Sequence, residues 1–190
     1  LLSLNCTACH VRDDHGGPEP GREIFFRPTV EEDLGDEGRL PPTLTGVGYK
    51  LTREAIERIV SGSGAVRPYM ATRMPSFGND HATLLAHLFD EVDAPTDRPT
   101  FEQDGRHAWG RELIGGDGLS CITCHNLKGR KSLGIPAIDL ATSPRRLRRE
   151  WFHEYLLSPL TFRPGTRRPP FSPDGPAASK SIAGGDTHRQ

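Results

Sequence analysis

The sequence predicts a mainly α-helical, loop-rich protein that consists of two small domains in tandem. Three observations support this prediction: a five-residue motif occurs twice, similar segments follow each copy in the same order, and apolar residues recur at helical spacing. The 190 residues include 21 glycines and 17 prolines, which are typical of turns and loops. Each half is close to the size at which an apolar core alone is only marginally stable, so we expect a bound apolar group in both cores.

The repeated motif is Cys-x-x-Cys-His, at residues 6–10 and 121–125, and it contains all four cysteines of the chain: Cys6, Cys9, Cys121 and Cys124. Two thiols at this spacing reach the two vinyl-derived carbons of one porphyrin, and the adjacent histidine offers its imidazole to the iron. The motif therefore predicts two covalently bound haem c groups, with His10 and His125 as iron ligands. Zinc is the alternative, but a zinc site ordinarily has a second ligand pair roughly 12 to 20 residues further on. The chain has no further cysteine.

The segments after the two motifs correspond in order, which a tandem duplication of one small domain explains. In the first half they are a proline-containing loop, a helical stretch and an Arg-Pro segment, at residues 41–48, 51–61 and 67–77. Their counterparts in the second half are residues 135–140, 144–157 and 163–171. We therefore predict a domain for haem 1 at residues 1–95 and a domain for haem 2 at residues 96–190, with a proline-containing linker at residues 93–99.

Apolar residues at helical spacing predict two helices in each half. Thr52 is the expected N-cap of the first helix, whose apolar positions are Ile56, Ile59 and Val60. The second helix contains Leu84, Leu85, Leu88 and Phe89. The third helix ends at Gly115 and contains Phe101, Ala108, Trp109 and Leu113. For the fourth we expect Ser143 as N-cap and Pro144 as the first helical residue, before an apolar stripe of Trp151, Phe152, Tyr155 and Leu156.

A histidine that binds iron must keep one ring nitrogen unprotonated, so its other ring N–H usually donates to a backbone carbonyl nearby. Prolines after each motif are candidates for shaping the loop that supplies this carbonyl. These are Pro41 or Pro42 in the first half and Pro136 in the second half. The alternative is that they are ordinary turn prolines.

With these residues in place, the chain resembles the class I c-type cytochromes, in tandem dihaem form, over nearly its whole length. The resemblance implies two cytochrome c-like helical domains that wrap around covalent haems. In that family a methionine within Thr-Arg-Met-Pro-x-Phe is the sixth iron ligand, and residues 72–77 match this pattern residue for residue. The resemblance therefore assigns Met74 to haem 1, with Met70 as the other candidate. A thioether ligand favours ferrous iron and raises the reduction potential.

The second half departs from the family pattern, because Arg168 stands where the first half has Met74. A guanidinium is protonated at any accessible pH and offers no lone pair to iron. Haem 2 then has an open or water-bound iron, or a histidine ligand, or the chain is altered or trimmed at this point. His153 is the nearest histidine in sequence, and the others in this half are His107 and His188.

The leading functional prediction is electron transfer, with haem 1 ligated by histidine and methionine and haem 2 lacking the usual methionine. The alternative is a peroxidase-like enzyme in which an open haem 2 reduces a small oxidant and haem 1 supplies electrons. No distal histidine or glutamate is identifiable in the second half for such chemistry, so we assign no catalytic residue. A third hypothesis is a module that receives electrons from an attached dehydrogenase.

Charge is distributed unevenly: residues 1–95 carry 9 Lys and Arg against 15 Asp and Glu, and residues 96–190 carry 15 against 10. Opposite net charges could orient a redox partner, or simply belong to two solvated surfaces. A cluster of arginines in the second half could bind haem propionates or an acidic partner, or be a solvated helix face: Arg145, Arg146, Arg148 and Arg149.

Haem attachment to this motif takes place outside the bacterial cytoplasm, which predicts a periplasmic or otherwise exported protein. The expected partners are redox proteins or an attached dehydrogenase domain, with no nucleic acid and no membrane span in this chain. The first half lacks a helix before its motif and the second lacks one after residue 171, so both ends read as trimmed. We expect a module or fragment of a larger bacterial protein.

Overall fold

The computed structural model describes residues 1–95, 107–168 and 170, with only the backbone at residues 107 and 108. As predicted, the protein is mainly helical and rich in loops. The described residues contain seven α-helices: α1 (Asp36–Arg39), α2 (Val47–Lys50), α3 (Arg53–Val60), α4 (Gly78–Val92), α5 (His107–Ile114), α6 (Arg149–Leu157) and α7 (Pro159–Phe162). Five short 3-10 helices lie at Leu2–Leu4, Cys6–Ala8, Glu23–Phe25, Cys121–Thr123 and Leu140–Arg145. One antiparallel hairpin pairs β1 (Val11–Arg12) with β2 (His15–Gly16).

The chain divides into two compact units. Unit 1 comprises Leu1–Thr96 and Thr142–Trp151, and unit 2 comprises Asp97–Ala141 and Phe152–Gln190. Ten residues from the second half of the chain thus belong to unit 1, and we call Thr142–Trp151 the strap. In the part of the chain that the structure describes, no helix is both long and apolar enough to cross a membrane.

Helices α3 and α4 form the centre of the unit 1 core. The prediction for α3 is confirmed, since the Thr52 hydroxyl accepts a hydrogen bond from the Ala55 N–H at 3.2 Å and caps the helix. The predicted second helix is also confirmed, as α4, but only two of the four apolar residues that predicted it are buried. Leu85 and Phe89 are buried, whereas Leu84 and Leu88 are exposed. Two alanines complete the buried face of α4, Ala82 and Ala86.

Gly48 allows α2 to lie directly against the backbone of α4. A Cβ at this position would overlap the carbonyl group of Phe89. Because the obstacle is helix backbone and not the end of a flexible side chain, any side chain here must push the two helices apart.

We expect Gly48→Ala to lower the free energy of unfolding of unit 1 by roughly 1–3 kcal/mol, the usual cost of overpacking a core. Urea unfolding followed by circular dichroism measures this change. Gly110→Ala is the matched control, because that glycine lies on an exposed position of α5 with open space around its Cα. Alanine is the better helix former, so the control should be neutral or slightly stabilising. Equal stability of Gly48→Ala and the unchanged protein would contradict the close helix contact.

Asp93 belongs to the core of unit 1, which corrects the prediction that a linker starts at this residue. Its carboxylate side chain is only 6% exposed and accepts a hydrogen bond from Arg12 Nη2 at 2.7 Å. It also accepts the backbone N–H of Gly48 at 2.8 Å. Asp93 begins a polar, proline-containing segment that resembles a linker in sequence, but its partners lie 81 and 45 residues away. Residues 96–99 of the predicted linker lie outside the described residues.

The strap pairs through its backbone with the segment between α2 and α3. The Thr52 N–H donates to the Arg146 carbonyl at 2.9 Å, and the Arg148 N–H donates to the Lys50 carbonyl at 3.0 Å. This pairing explains why the prediction of a helix starting at Pro144 was wrong. Pro144 lies inside a 3-10 helix, and α6 begins only at Arg149, after the residues that pair in extended form.

Side chains of the strap also anchor it to unit 1. Arg148 Nε donates to the carbonyls of Gly48 and Leu51 at 2.7 and 3.0 Å, and its guanidinium forms an ion pair with Asp90. Trp151 is 5% exposed, and the Lys50 ammonium lies 4.6 Å from the centre of its ring. The arginine cluster is therefore not a uniformly solvated helix face.

Unit 2 buries few apolar side chains within its described residues. Helix α5 ends at Ile114, as predicted from Gly115, and its Leu113 is buried. Pro159 at the start of α7 is fully buried, and Tyr155 packs edge-on against Phe162 with ring centres 6.3 Å apart. The predicted position Phe101 lies outside the described residues, and the side chain of Ala108 is not described.

Candidate haem-binding sites

The two Cys-x-x-Cys-His motifs have the same backbone conformation. In each, the residue before the first cysteine is left-handed, with φ 55° and ψ 31° at Asn5 and φ 53° and ψ 30° at Ser120. A 3-10 turn follows at Cys6–Ala8 and at Cys121–Thr123. Left-handed backbone is uncommon for residues other than glycine, so the same geometry at both places points to one shared requirement.

The turn brings the backbone N–H of each histidine to the carbonyl of the first cysteine in the same motif. The His10 N–H donates to the Cys6 carbonyl at 3.0 Å, and the His125 N–H donates to the Cys121 carbonyl at 2.9 Å. In both motifs the second cysteine N–H donates to the same carbonyl at 3.2 Å. All four cysteines are free thiols. Each motif thus places two thiols and one imidazole on a single tight turn.

A backbone carbonyl holds Nδ1 of each histidine. His10 Nδ1 lies 2.6 Å from the Pro42 carbonyl oxygen, and His125 Nδ1 lies 3.0 Å from the Ile138 carbonyl oxygen. With Nδ1–H as donor, the lone pair is on Nε2, which is the arrangement that a metal-binding histidine needs. Pro42 was one of the two prolines expected to contribute in the first half. In the second half the acceptor is Ile138, two residues after Pro136, the proline expected to shape this loop.

The surroundings of His10 keep its imidazole neutral. Burial is the main cause of its lowered pKa, the hydrogen bond to Pro42 opposes this effect, and the positive charge of Arg67 lowers the pKa further. A neutral imidazole at neutral pH is the form that binds a metal. Sequence reasoning did not single out Arg67 as a site residue, although the Arg-Pro pair recurs at Arg163 in the second half.

Gly16 lets the following loop pass close to the first motif. Its φ is +83°, and a Cβ there would lie 2.6 Å from the Thr7 carbonyl oxygen and 2.8 Å from the His10 carbonyl oxygen. The adjacent Gly17 N–H donates to the Thr7 carbonyl at 2.9 Å. In the second motif the Leu133 N–H donates to the equivalent Ile122 carbonyl at 3.0 Å. In each motif, therefore, an N–H from a later loop bonds to the carbonyl of the residue that follows the first cysteine.

The two methionines occupy opposite environments. Met70 is 8% exposed and belongs to the buried residues of unit 1, whereas Met74 is 39% exposed. The segment that carries Met74 is held at both ends, because the Ala71 N–H donates to the Arg27 carbonyl at 3.0 Å and the Phe77 N–H donates to the Val60 carbonyl at 2.9 Å. Of the two methionines, Met74 is therefore the more accessible to a ligand in the space beside the protein chain.

Arg168 lies close to the second motif. Its positive charge lowers the pKa of the Cys121 thiol, although burial raises that pKa more strongly. Arg168 Nη1 donates to the Tyr155 carbonyl at 3.1 Å, and the guanidinium carbon lies 5.2 Å from the centre of the Tyr155 ring. Arg168 thus places a positive charge, and not a potential iron ligand, near the second motif.

Three histidines were the other candidates for a ligand of haem 2. His153 is half-buried within α6. His107 begins α5, but its side chain is not described, and His188 lies outside the described residues.

These features fit one covalently bound haem in each unit. Each turn offers two free thiols and an imidazole with Nδ1 held by a carbonyl. Among the described residues, no group of three or more His, Cys, Asp and Glu side chains is arranged to hold a metal ion. Haem needs no such group, because the porphyrin supplies four ligands and the protein only one or two.

Comparison with protein-family models, with curated proteins and with solved structures finds no match to this chain.

Proposed function

We propose that this chain is a dihaem c-type cytochrome that transfers electrons. One observation carries the proposal: two turns of identical conformation each present a Cys-x-x-Cys pair, with the next histidine bonded through Nδ1 to a backbone carbonyl. Zinc sites share the cysteine spacing but require two further protein ligands. Two thiols beside a single imidazole whose Nδ1 is held by a carbonyl are what haem c attachment requires.

The cysteines and the histidine of each motif have different roles in binding haem. Cys6 and Cys9 would hold one porphyrin, and Cys121 and Cys124 another, each S–H adding across a vinyl group to form a thioether bond. His10 and His125 would bind iron through Nε2, and the carbonyls of Pro42 and Ile138 hold the ring orientation. Bound haem supplies a one-electron iron couple.

The sixth ligand distinguishes the two sites. Met74 lies on an exposed segment held at both ends and offers a soft sulfur, which resists substrate binding and raises the potential. Arg168 at the corresponding place in unit 2 offers a cation near Cys121 and no lone pair. The first site is therefore suited to electron transfer alone, whereas a haem in the second site would have a different reduction potential.

A peroxidase-like activity of the second site is the other candidate, and the position of Arg168 favours it. A guanidinium beside an open iron could stabilise negative charge that develops on a bound oxidant. Peroxide consumption by the reduced protein, lost in Arg168→Met, would favour this function over electron transfer alone.

Attachment at these motifs implies a periplasmic or otherwise exported protein, with redox proteins or an attached dehydrogenase as partners. The net negative charge of residues 1–95 and the net positive charge of residues 96–190 would orient such partners differently on the two domains.

The test is denaturing mass spectrometry of the chain, produced in bacteria that carry out haem c attachment. We expect the mass of the polypeptide plus two haems. A variant with Cys6 and Cys9 both replaced by serine should lose one haem, and the matched variant at Cys121 and Cys124 should lose the other. Bound zinc, or a polypeptide without added mass, would overturn the proposal.

A further inference from the structure

Arg146 of the strap carries a buried polar atom without a partner. Its Nε is out of contact with solvent and has no hydrogen-bond acceptor, and among the described residues it is the only buried side-chain nitrogen or oxygen atom in that condition. Burial and the nearby charge of Arg67 lower the pKa of Arg146 to about 10. Leaving one N–H of a cation buried without an acceptor is costly, and a bound anion would remove that cost.

The strap fixes the backbone of Arg146. The Arg146 N–H donates to the Ser143 carbonyl at 3.0 Å, and the Arg146 carbonyl accepts a hydrogen bond from the Thr52 N–H at 2.9 Å. The next residue, Leu147, packs against the core of unit 1. Arg146 is therefore placed by folding, and its Nε could not meet a partner protein at the surface.

A second guanidinium and the first haem motif share this region of unit 1. The positive charge of Arg67 acts on both Arg146 and His10. Arg67 is held in turn, since its Nη1 donates to the Glu37 carbonyl at 2.8 Å. Tyr69 is 8% exposed, and the charges of Arg67 and Arg146 both act on its phenol. The Glu37 carboxylate also acts on Arg146 and Tyr69. Two guanidinium groups against one carboxylate leave this region, whose Arg67 also acts on His10, suited to a further anion.

We propose that Arg146 and Arg67 bind the propionate carboxylates of haem 1, so that a residue from the second half of the chain completes the first haem site. The inference rests on the proposed function, because it presupposes haem at residues 6–10. Arginine pairs with carboxylate through two parallel N–H···O bonds, one of which can come from Nε. The propionate thereby supplies the acceptor that Arg146 Nε lacks within the described residues.

The experiment compares Arg146→Gln with Arg145→Gln in the full dihaem protein. Arg145 is the matched control, because it is the neighbouring strap arginine and its side chain is exposed. Midpoint potentials are measured by spectroelectrochemistry, with haem 1 identified by the red-end absorption of methionine-ligated ferric haem. Loss of a buried positive charge stabilises the ferric state. We expect Arg146→Gln to shift the reduction equilibrium of haem 1 about tenfold toward the oxidised form, which is ~59 mV for one electron. Haem 2 and the Arg145→Gln variant should be unchanged.

An unchanged haem 1 potential in Arg146→Gln, an equal shift in Arg145→Gln, or a shift confined to haem 2 would each overturn the inference. The proposed function is judged separately, by the mass of two haems. If Arg146→Gln does not accumulate, Arg146→Lys takes its place, because lysine keeps the charge but not the planar fork. It should lower the haem 1 potential by a smaller amount, and no change in this variant would also overturn the inference.

Discussion

Met74→Leu is expected to convert haem 1 from a low-spin centre to a high-spin or water-ligated one. Leucine has a volume similar to that of methionine but no sulfur, so the substitution removes the proposed ligand and little else. Loss of the soft thioether destabilises ferrous iron. We expect the haem 1 potential to fall by roughly 0.1–0.3 V, a part of the ~0.8 V range that axial ligands span. Optical spectra and redox titration measure both changes.

Met70→Leu is the matched control for this prediction. Met70 is buried, and leucine fits such a core position at little cost, so the spectrum and the potential should stay unchanged. If Met74→Leu keeps the red-end absorption band while Met70→Leu loses it, Met70 is the ligand of haem 1. If both variants keep the band, neither methionine binds this iron.

Arg168→Met is expected to close the second site. The unchanged protein should bind carbon monoxide at haem 2 and not at haem 1, because Arg168 has no lone pair for iron. A methionine at this position restores the pattern of the first half, so carbon monoxide binding should be lost and the haem 2 potential should rise. The substitution also removes the hydrogen bond from Arg168 to the Tyr155 carbonyl. Spectra of the reduced protein with and without carbon monoxide test the prediction.

Arg167→Met controls for the loss of a neighbouring charge, since Arg167 is exposed, and it should leave carbon monoxide binding intact. Two low-spin haems without carbon monoxide binding in the unchanged protein would contradict an open second site. A residue outside residues 166–168 would then bind the iron, and His153 would be the first position to substitute.

Local signals in the sequence were sufficient for several structural predictions. The N-cap at Thr52 and the end of α5 before Gly115 depend on interactions within a few residues, and both are as expected. The two turns at residues 6–10 and 121–125 also share one conformation, in keeping with their shared sequence pattern. Haem attachment and the iron ligands remain predictions.

Predictions failed where a partner distant in sequence decided the conformation. Asp93 looks like the start of a linker until Arg12 is brought beside it. The sequence named no acceptor for His125; it is Ile138, and the second loop closes after 13 residues where the first requires 32. The importance of Arg67 near His10 could have been inferred only from the repetition of Arg-Pro at residue 163.

Residue type and spacing are enough to predict the helical class, the paired motifs and the arginine that stands at residue 168 where the first half has Met74. The assignment of the strap to unit 1 and the buried, unpartnered Nε of Arg146 depend instead on contacts between residues far apart in the chain. The repeat pattern favoured a helix from Pro144. Backbone pairing of residues 146–148 with residues 50–52 interrupts such a helix, because the Arg148 N–H bonds to the Lys50 carbonyl and is not available to the Pro144 carbonyl four residues earlier.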